Sequence, residues 1–278
     1  MRRRPSTLRR ILTTDLPVAA IVLVALGPFA WMFLTSVTPG DRLAAAGVAA
    51  NPLDWSVEHY VRLFARTSFA ANMGHSLIVA LGTVVVGLSV SVPAAYAISR
   101  FRFPGRRVLM LQFLLVNMFP VVLLILPLFV LMRQAGLLDT HLALILANAT
   151  VAIPFSVWML TSYVDGIPKS LDEAAMTDGC SQLSALRRVV LPLLAPGIVS
   201  TGIYIFITAW NEYLYALTLG GRSTRTMTVA IQTLIGEYQI EWGLLSAGGI
   251  VGALPATVLF LFVQRRLVGG LTQGAVKG

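Results

Sequence analysis

The chain is short of nearly everything a water-soluble protein relies on. Only 12% of its 278 residues are charged, against about one quarter in an ordinary soluble domain. With 56% hydrophobic residues and a mean hydropathy of +0.79, there is too little polar side chain to cover a globular surface, and the sequence reads as a membrane protein. Cys180 is the sole cysteine, which excludes an internal disulfide and any clustered thiolate zinc site. The histidines are His59, His75 and His141; they lie far apart and show no HExxH spacing, so no metal site is expected. Lysine occurs only at Lys169 and Lys277, and the "VDGIP" ahead of Lys169 has its glycine in the wrong place for a phosphate-wrapping GxxxxGK[ST] loop. A GxSxG elbow is missing too, as are the paired intramembrane carboxylates of a proton relay. The chain is therefore expected to be no enzyme and to bind no nucleotide cofactor itself.

What the sequence does contain is six apolar runs of spanning length, at about 16–37, 76–99, 108–132, 142–164, 197–219 and 243–264. Each can cross a hydrocarbon core that needs about 20 helical residues. The runs are continuous rather than alternating, which favours helices over a barrel. The fold expected is an all-α membrane protein of six transmembrane helices forming one domain over 1–278. The basic start "MRRRPSTLRR" runs into the first apolar stretch in the manner of a signal peptide, but 22 uncharged residues from Leu16 to Val37 suit a retained span better. Prolines 93, 120, 127, 154 and 255 lie inside runs, where they kink helices and free carbonyls that neighbours must satisfy.

Net charge is +9, but in a polytopic protein the position of basic residues matters more than their sum. With a cytoplasmic N-terminus, fifteen Lys and Arg fall on the inner side and six on the outer. That bias puts both termini in the cytoplasm and explains the charge without nucleic acid. On the outer side, "NPLDWSVEHYVRLF" reads as a short interfacial helix with Trp55, Tyr60 and Phe64 near the headgroups.

The polar interruption from 166 to 196 falls on the inner side. Ser170 and Glu173 have the S-x-x-E spacing of a capping box, which predicts a helix from Leu171 with Asp172 and Glu173 in its first turn. Leu171, Ala174, Ala175 and Met176 would share one broad side. Gly179 suits a left-handed turn. Ser181 can cap a second helix carrying Leu183, Leu186, Val189 and Val190 and ending before Pro192 and Pro196.

These residues resemble a known pattern. "EAAMTDGCSQLSALRRVVLPLLAPG" is similar to the EAA loop of the permeases of binding-protein-dependent ABC importers, on Glu173, Ala174, Ala175, Asp178, Gly179, Leu191 and Pro192, with Cys180 in place of the usual alanine. The ending "QRRLVGGLTQGAVKG" and the segment "AWNEYLYAL" resemble the MalG-type carbohydrate permeases within that group. The resemblance implies a type I importer permease of a bacterial inner membrane, with a cytoplasmic coupling helix and a sugar, such as an oligosaccharide or disaccharide, as its cargo. It implies as partners a homologous second permease, an extracytoplasmic binding protein, and two ATPase subunits that carry the ATP and Mg. It further implies that Thr272, Gln273 and Lys277 reach between the ATPases, whereas composition alone predicts a disordered tail from Gly270. A permease for glycerol-phosphate-type or other polar solutes, and a stand-alone secondary transporter, remain as alternatives.

Candidates for the translocation path are less sharply marked. Glu212 is the only acidic residue within a run, and it is expected to face the bundle, either as a brace bonded to a neighbouring helix or as a path lining. Trp210, Asn211 and Tyr213 beside it are able to stack on or hydrogen-bond a sugar. Asn117 and Asn148 are polar groups inside the third and fourth runs, fit for helix-to-helix hydrogen bonds or for contact with a polar solute.

Overall fold

A computed structural model describes residues 11–236 and 240–274. Helices dominate: α1 (Leu16–Val37), α2 (Gly40–Ala46), α3 (Glu58–Arg66), α4 (Phe69–Arg100), α5 (Arg106–Met118), α6 (Val121–Gln134), α7 (His141–Asp165), α8 (Lys169–Thr177), α9 (Gln182–Ala185), α10 (Ala195–Trp210), α11 (Leu214–Leu219), α12 (Met227–Thr233) and α13 (Trp242–Gly274). Four of them are long and apolar enough to cross a membrane, and the number rises to six if each of two bent helix pairs is one span.

Two of the six runs are broken. The run at 108–132 is broken into α5 and α6, which meet at 98°. Pro120 sits in the break with an extended backbone; lacking an N–H and disfavouring helix at Phe119, it ends one helix and starts the next. The second bend, of 78°, separates residues 182–193 from α10. The run at 197–219 is also interrupted, because α10 stops at Trp210 and α11 begins at Leu214.

The chain divides into two compact units, residues 1–69 with 231–253, and residues 70–230 with 254–278. In the first unit, α1 exposes its apolar side chains along most of its length and buries only Thr35, Ser36 and Val37. A polar knot forms at that end. Ser36 Oγ lies 2.8 Å from the Tyr60 hydroxyl, the Ala49 amide donates to Thr38 Oγ1 at 2.8 Å, and Trp55 Nε1 donates to the Ala49 carbonyl at 3.1 Å. Trp55 and Tyr60 are thus partly committed to packing against α1 instead of standing free at an interface, with the Trp55 ring edge-on to Phe33 at 5.4 Å. The expected interfacial helix starts only at Glu58, seven residues into its stretch, and runs past its end to Arg66.

In the second unit the helices pack around two apolar clusters. The first joins Val79, Leu128, Met132, Ala143, Leu144, Ala147, Tyr215 and Leu219. The second joins Val92, Ala95 and Tyr96 of α4, Leu160 and Val164 of α7, and Leu186, Val190 and Leu194 from the polar interruption. Glycines permit the closest helix approaches: a Cβ on Gly87 would lie 2.9 Å from Ile205 Cδ1, and one on Gly197 2.7 Å from Tyr163 Cγ. Small residues serve this purpose in membranes, where lipid gives helices no hydrophobic drive to associate.

Candidate functional site

The polar interruption folds as the helix-turn-helix that its glycine and Ser181 predict, but its first helix starts differently. Pro168, with φ −57°, occupies the cap position and α8 begins at Lys169 with no side-chain cap. A proline here presets the chain for entry into helix, so Ser170 and Glu173 fall inside α8 and the capping box does not form. At the far end, Gly179 has φ +87°. The Gly179 amide donates to the Met176 carbonyl at 3.1 Å and the Cys180 amide to Ala175 at 3.0 Å, the pair of bonds that closes a helix through a left-handed residue. Ser181 then accepts from the Ser184 amide and caps α9.

The segment after α9 runs on through Pro192 instead of stopping before it. Residues Leu186–Val190 form a π-type turn, and the Leu191 amide reaches back to the Leu186 carbonyl. The wider turn fits the helical turn Leu191–Leu193, which carries Pro192 in its first positions, where a missing N–H costs little. This second arm buries Ala185 and places Leu186, Val190 and Leu194 in the second apolar cluster.

The first arm has an unexpected polarity. Its buried residues are Asp172 and Ala175, while Leu171 and Met176 are 40% and 41% exposed. Leu171 and Met176 are thus turned outward, next to exposed Glu173, Ala174 and Asp178. What holds Asp172 inside is Arg100, the last residue of α4: the two form an ion pair whose side chains are 8% and 6% exposed. The same guanidinium donates to the Ile167 carbonyl at 3.0 Å, just ahead of α8. Its neighbour Ser99 donates to Asp165 at 2.5 Å, and Arg106 lies 3.7 Å from the same carboxylate. A cavity of about 190 Å³ opens beside the pair, lined by Tyr96, Phe101, Lys169 and Glu173 among others. Sequence reasoning missed this pair because each partner had a sufficient local explanation, Arg100 in charge bias and Asp172 in the helix dipole.

The path candidates do not converge on one site. Trp210 is 2% exposed and stacks on Phe206 at 5.6 Å. The Asn117 and Asn148 amides donate to the carbonyls of Phe113 and Leu144 in their own helices, at 3.0 and 2.9 Å. Asn211 does likewise with Ile207, and Tyr213 is half-buried at the head of α11. Glu212 lies in the break after α10, not within a helix. Its carboxylate accepts from the amides of Tyr215 at 2.7 Å and Ala216 at 3.0 Å, capping α11, and Thr228 donates to its carbonyl at 2.7 Å. The carboxylate thus satisfies two of the free amides at the start of the next helix.

Two further polar groupings were not foreseen. Asp139, with φ +55°, holds the 220–224 turn: Thr224 donates to its carboxylate at 2.7 Å and the Ser223 amide at 3.4 Å. The Thr224 hydrogen bond, foremost, keeps its carboxyl below the usual range. His75 Nδ1 and His141 Nε2 lie 2.8 Å apart, a contact between α4 and α7 that no local sequence signal announces. As for the tail, α13 continues through Gly274 and carries Thr272 and Gln273 in helix, not in a disordered end, since no proline after Pro255 interrupts it. Lys277 lies outside the described residues.

Apolar helices of spanning length, together with an exposed helix-turn-helix, are the parts of a multi-pass membrane protein. Residues 84–273 match the family described as "Binding-protein-dependent transport system inner membrane component", and the chain belongs to it. It is 36% identical over 264 residues to the inner membrane ABC transporter permease protein YcjP of Escherichia coli (strain K12), covering 94% of each chain. It is 38% identical over 261 residues to the trehalose transport system permease protein SugB of Mycobacterium tuberculosis, covering 93% of this chain and 94% of the other. The trehalose/maltose transport system permease protein MalG of Thermococcus litoralis is 34% identical over 281 residues, with 99% of both covered. The fold is shared with a chain of a bacterial ABC transporter that imports the acidic polysaccharide alginate, with a TM-score of 0.80 at 24% identity over 94% of this chain and 98% of that one.

Proposed function

We propose that this chain is the carbohydrate-translocating permease of a bacterial ATP-driven importer, that a disaccharide or oligosaccharide is its cargo, and that α8 is the surface on which a separate ATPase subunit docks. The observation that carries the docking reading is the polarity of α8. Leu171 and Met176 face outward beside Glu173 and Asp178, while an acidic residue is sacrificed to the inside to anchor the helix. Small Ala174 lets a partner approach closely, and Glu173 and Asp178 offer carboxylates to its basic groups. The trehalose and maltose relatives support a sugar. The bias of basic residues supports a cytoplasmic position for α8 and for both termini.

In this reading a binding protein delivers the sugar on the outer side and a homologous permease completes the path. ATP and Mg are held by two ATPase subunits, and Thr272, Gln273 and Lys277 extend toward them. Gly179→Leu tests the docking surface. At φ +87° a branched side chain costs about 1 to 2 kcal/mol and re-aims the turn below α8. The complete importer, copurified and reconstituted in liposomes, should lose most sugar uptake with this variant while keeping its subunits. Normal uptake and normal stimulation of ATP hydrolysis would overturn it.

A further inference from the structure

We infer that Arg100 and Asp172 are positioning residues that make α8 and α4 move as one body, so that the buried ion pair, rather than the apolar packing of the hairpin, transmits the docking surface's displacement to the bundle. The inference rests on the proposed docking of α8.

The geometry of the anchorage is what distinguishes the two arms. The second arm enters the bundle through Leu186, Val190 and Leu194, a greasy contact that resists withdrawal but has no preferred direction. The first arm has little such contact, since Ala175 is its one buried apolar residue. It is held instead by a guanidinium engaging two points, the Ile167 carbonyl just before the helix and the Asp172 carboxylate in its first turn. One attachment is a hydrogen bond and the other a charge contact, and the two together, one ahead of the helix and one in its first turn, limit how α8 can turn. A single contact would leave α8 free to swivel.

Stability alone does not call for this arrangement. A buried ion pair is often matched or bettered by apolar residues of similar volume, so its use here is better accounted for by a requirement for direction. Arg100 is also well placed to pass displacement on. It ends a helix of 32 residues, about 48 Å long at helical rise. Along that helix Gly82 and Gly87 are in closest contact with Ile145 of α7 and Ile205 of α10. A push on α8 therefore acts on the end of a lever whose middle is seated against two other helices.

The test uses the complete importer in liposomes and reads sugar taken up per ATP hydrolysed. Arg100→Met with Asp172→Leu removes the pair without leaving a buried charge, so the complex should assemble. Uptake per ATP should fall about tenfold, within the ordinary range of coupling between sites. Asp172→Glu alone, which keeps the carboxylate, should recover much of that loss. Arg100→Lys, which keeps the charge but not the fork, should fall between. A double variant with unchanged uptake per ATP would overturn the inference. A disulfide cross-link from Glu173→Cys to a cysteine placed in the ATPase subunit separates the two proposals. If it forms in the otherwise unaltered importer and the double variant still couples normally, only the strut fails; if no ATPase position cross-links, the docking reading fails and the strut with it.

Discussion

Two regions of the second unit solve the same problem with different chemistry. Around α8, Arg100 faces Asp172 across 72 positions of sequence, charge against charge, both nearly sealed from solvent. Around Asp139 and Glu212, carboxylates instead accept from backbone amides and hydroxyls of turns and helix starts, with no cation in the bond set. The second arrangement fastens a loop or caps a helix, and losing it frays one element. The first couples two elements, and losing half of it strands a charge in a poorly solvated place. One region is fastened by neutral donors, the other by a buried pair of opposite charges.

The largest effect expected from breaking this contrast is therefore Asp172→Leu alone. It leaves Arg100 buried without its counter-charge, at a cost of about 3 to 5 kcal/mol. Thermal unfolding and assembly yield of the purified importer should both fall. Adding Arg100→Met to that variant should restore most of the stability while leaving transport poorly coupled. If the single and double variants unfold alike, the pair is not buried as an ionic unit, and the difference between the two regions disappears.

Glu212 gives an intermediate effect that sharpens the second half of the contrast. Glu212→Ala removes the acceptor of two amides at the start of α11 and should destabilise by about 1 kcal/mol, as loss of a helix cap does. Uptake should follow the amount of folded protein. A variant of normal stability whose sugar uptake has collapsed would instead make Glu212 a lining residue of the path.

How far the sequence could be read follows from the range of each interaction. Apolar length, the left-handed need at Gly179 and the cap at Ser181 are written within a few residues, and each is found in the structure. The capping box at Ser170 was written just as locally yet does not form, because Pro168 starts the helix earlier; two valid signals competed and the stiffer one prevailed. Pro120 was visible in the third run, but a proline permits anything from a gentle kink to a 98° break, and only packing decides. Arg100 with Asp172, and His75 with His141, join residues 72 and 66 positions apart. Nothing in either neighbourhood names its partner. Exposed Glu173, Ala174 and Asp178, which we propose as docking residues, were singled out by their pattern, whereas the inward turn of Asp172 beside them was not.

The smallest expected effect lies at Asp139, and its dependence on pH is what isolates it. The carboxyl is held below its ordinary value of 3.8, first by the Thr224 hydroxyl. A group whose folded value is depressed stabilises fully above its unfolded value and loses that contribution as pH falls through the folded one. Asp139→Asn is a near-isosteric probe, because asparagine tolerates the positive φ of this position while the charge and one of the two acceptor oxygens are removed. At neutral pH the variant should unfold at a slightly lower temperature than the natural chain, and the gap should close as the medium is taken below pH 3.8. A gap that stays constant down to acid would mean that the turn is held by shape rather than by the carboxylate. The opposite region should behave otherwise. With Asp172→Leu and Arg100→Met in place, the Asp139 gap should keep its size, since a cap fastened to its own turn has no reason to sense a strut at α8.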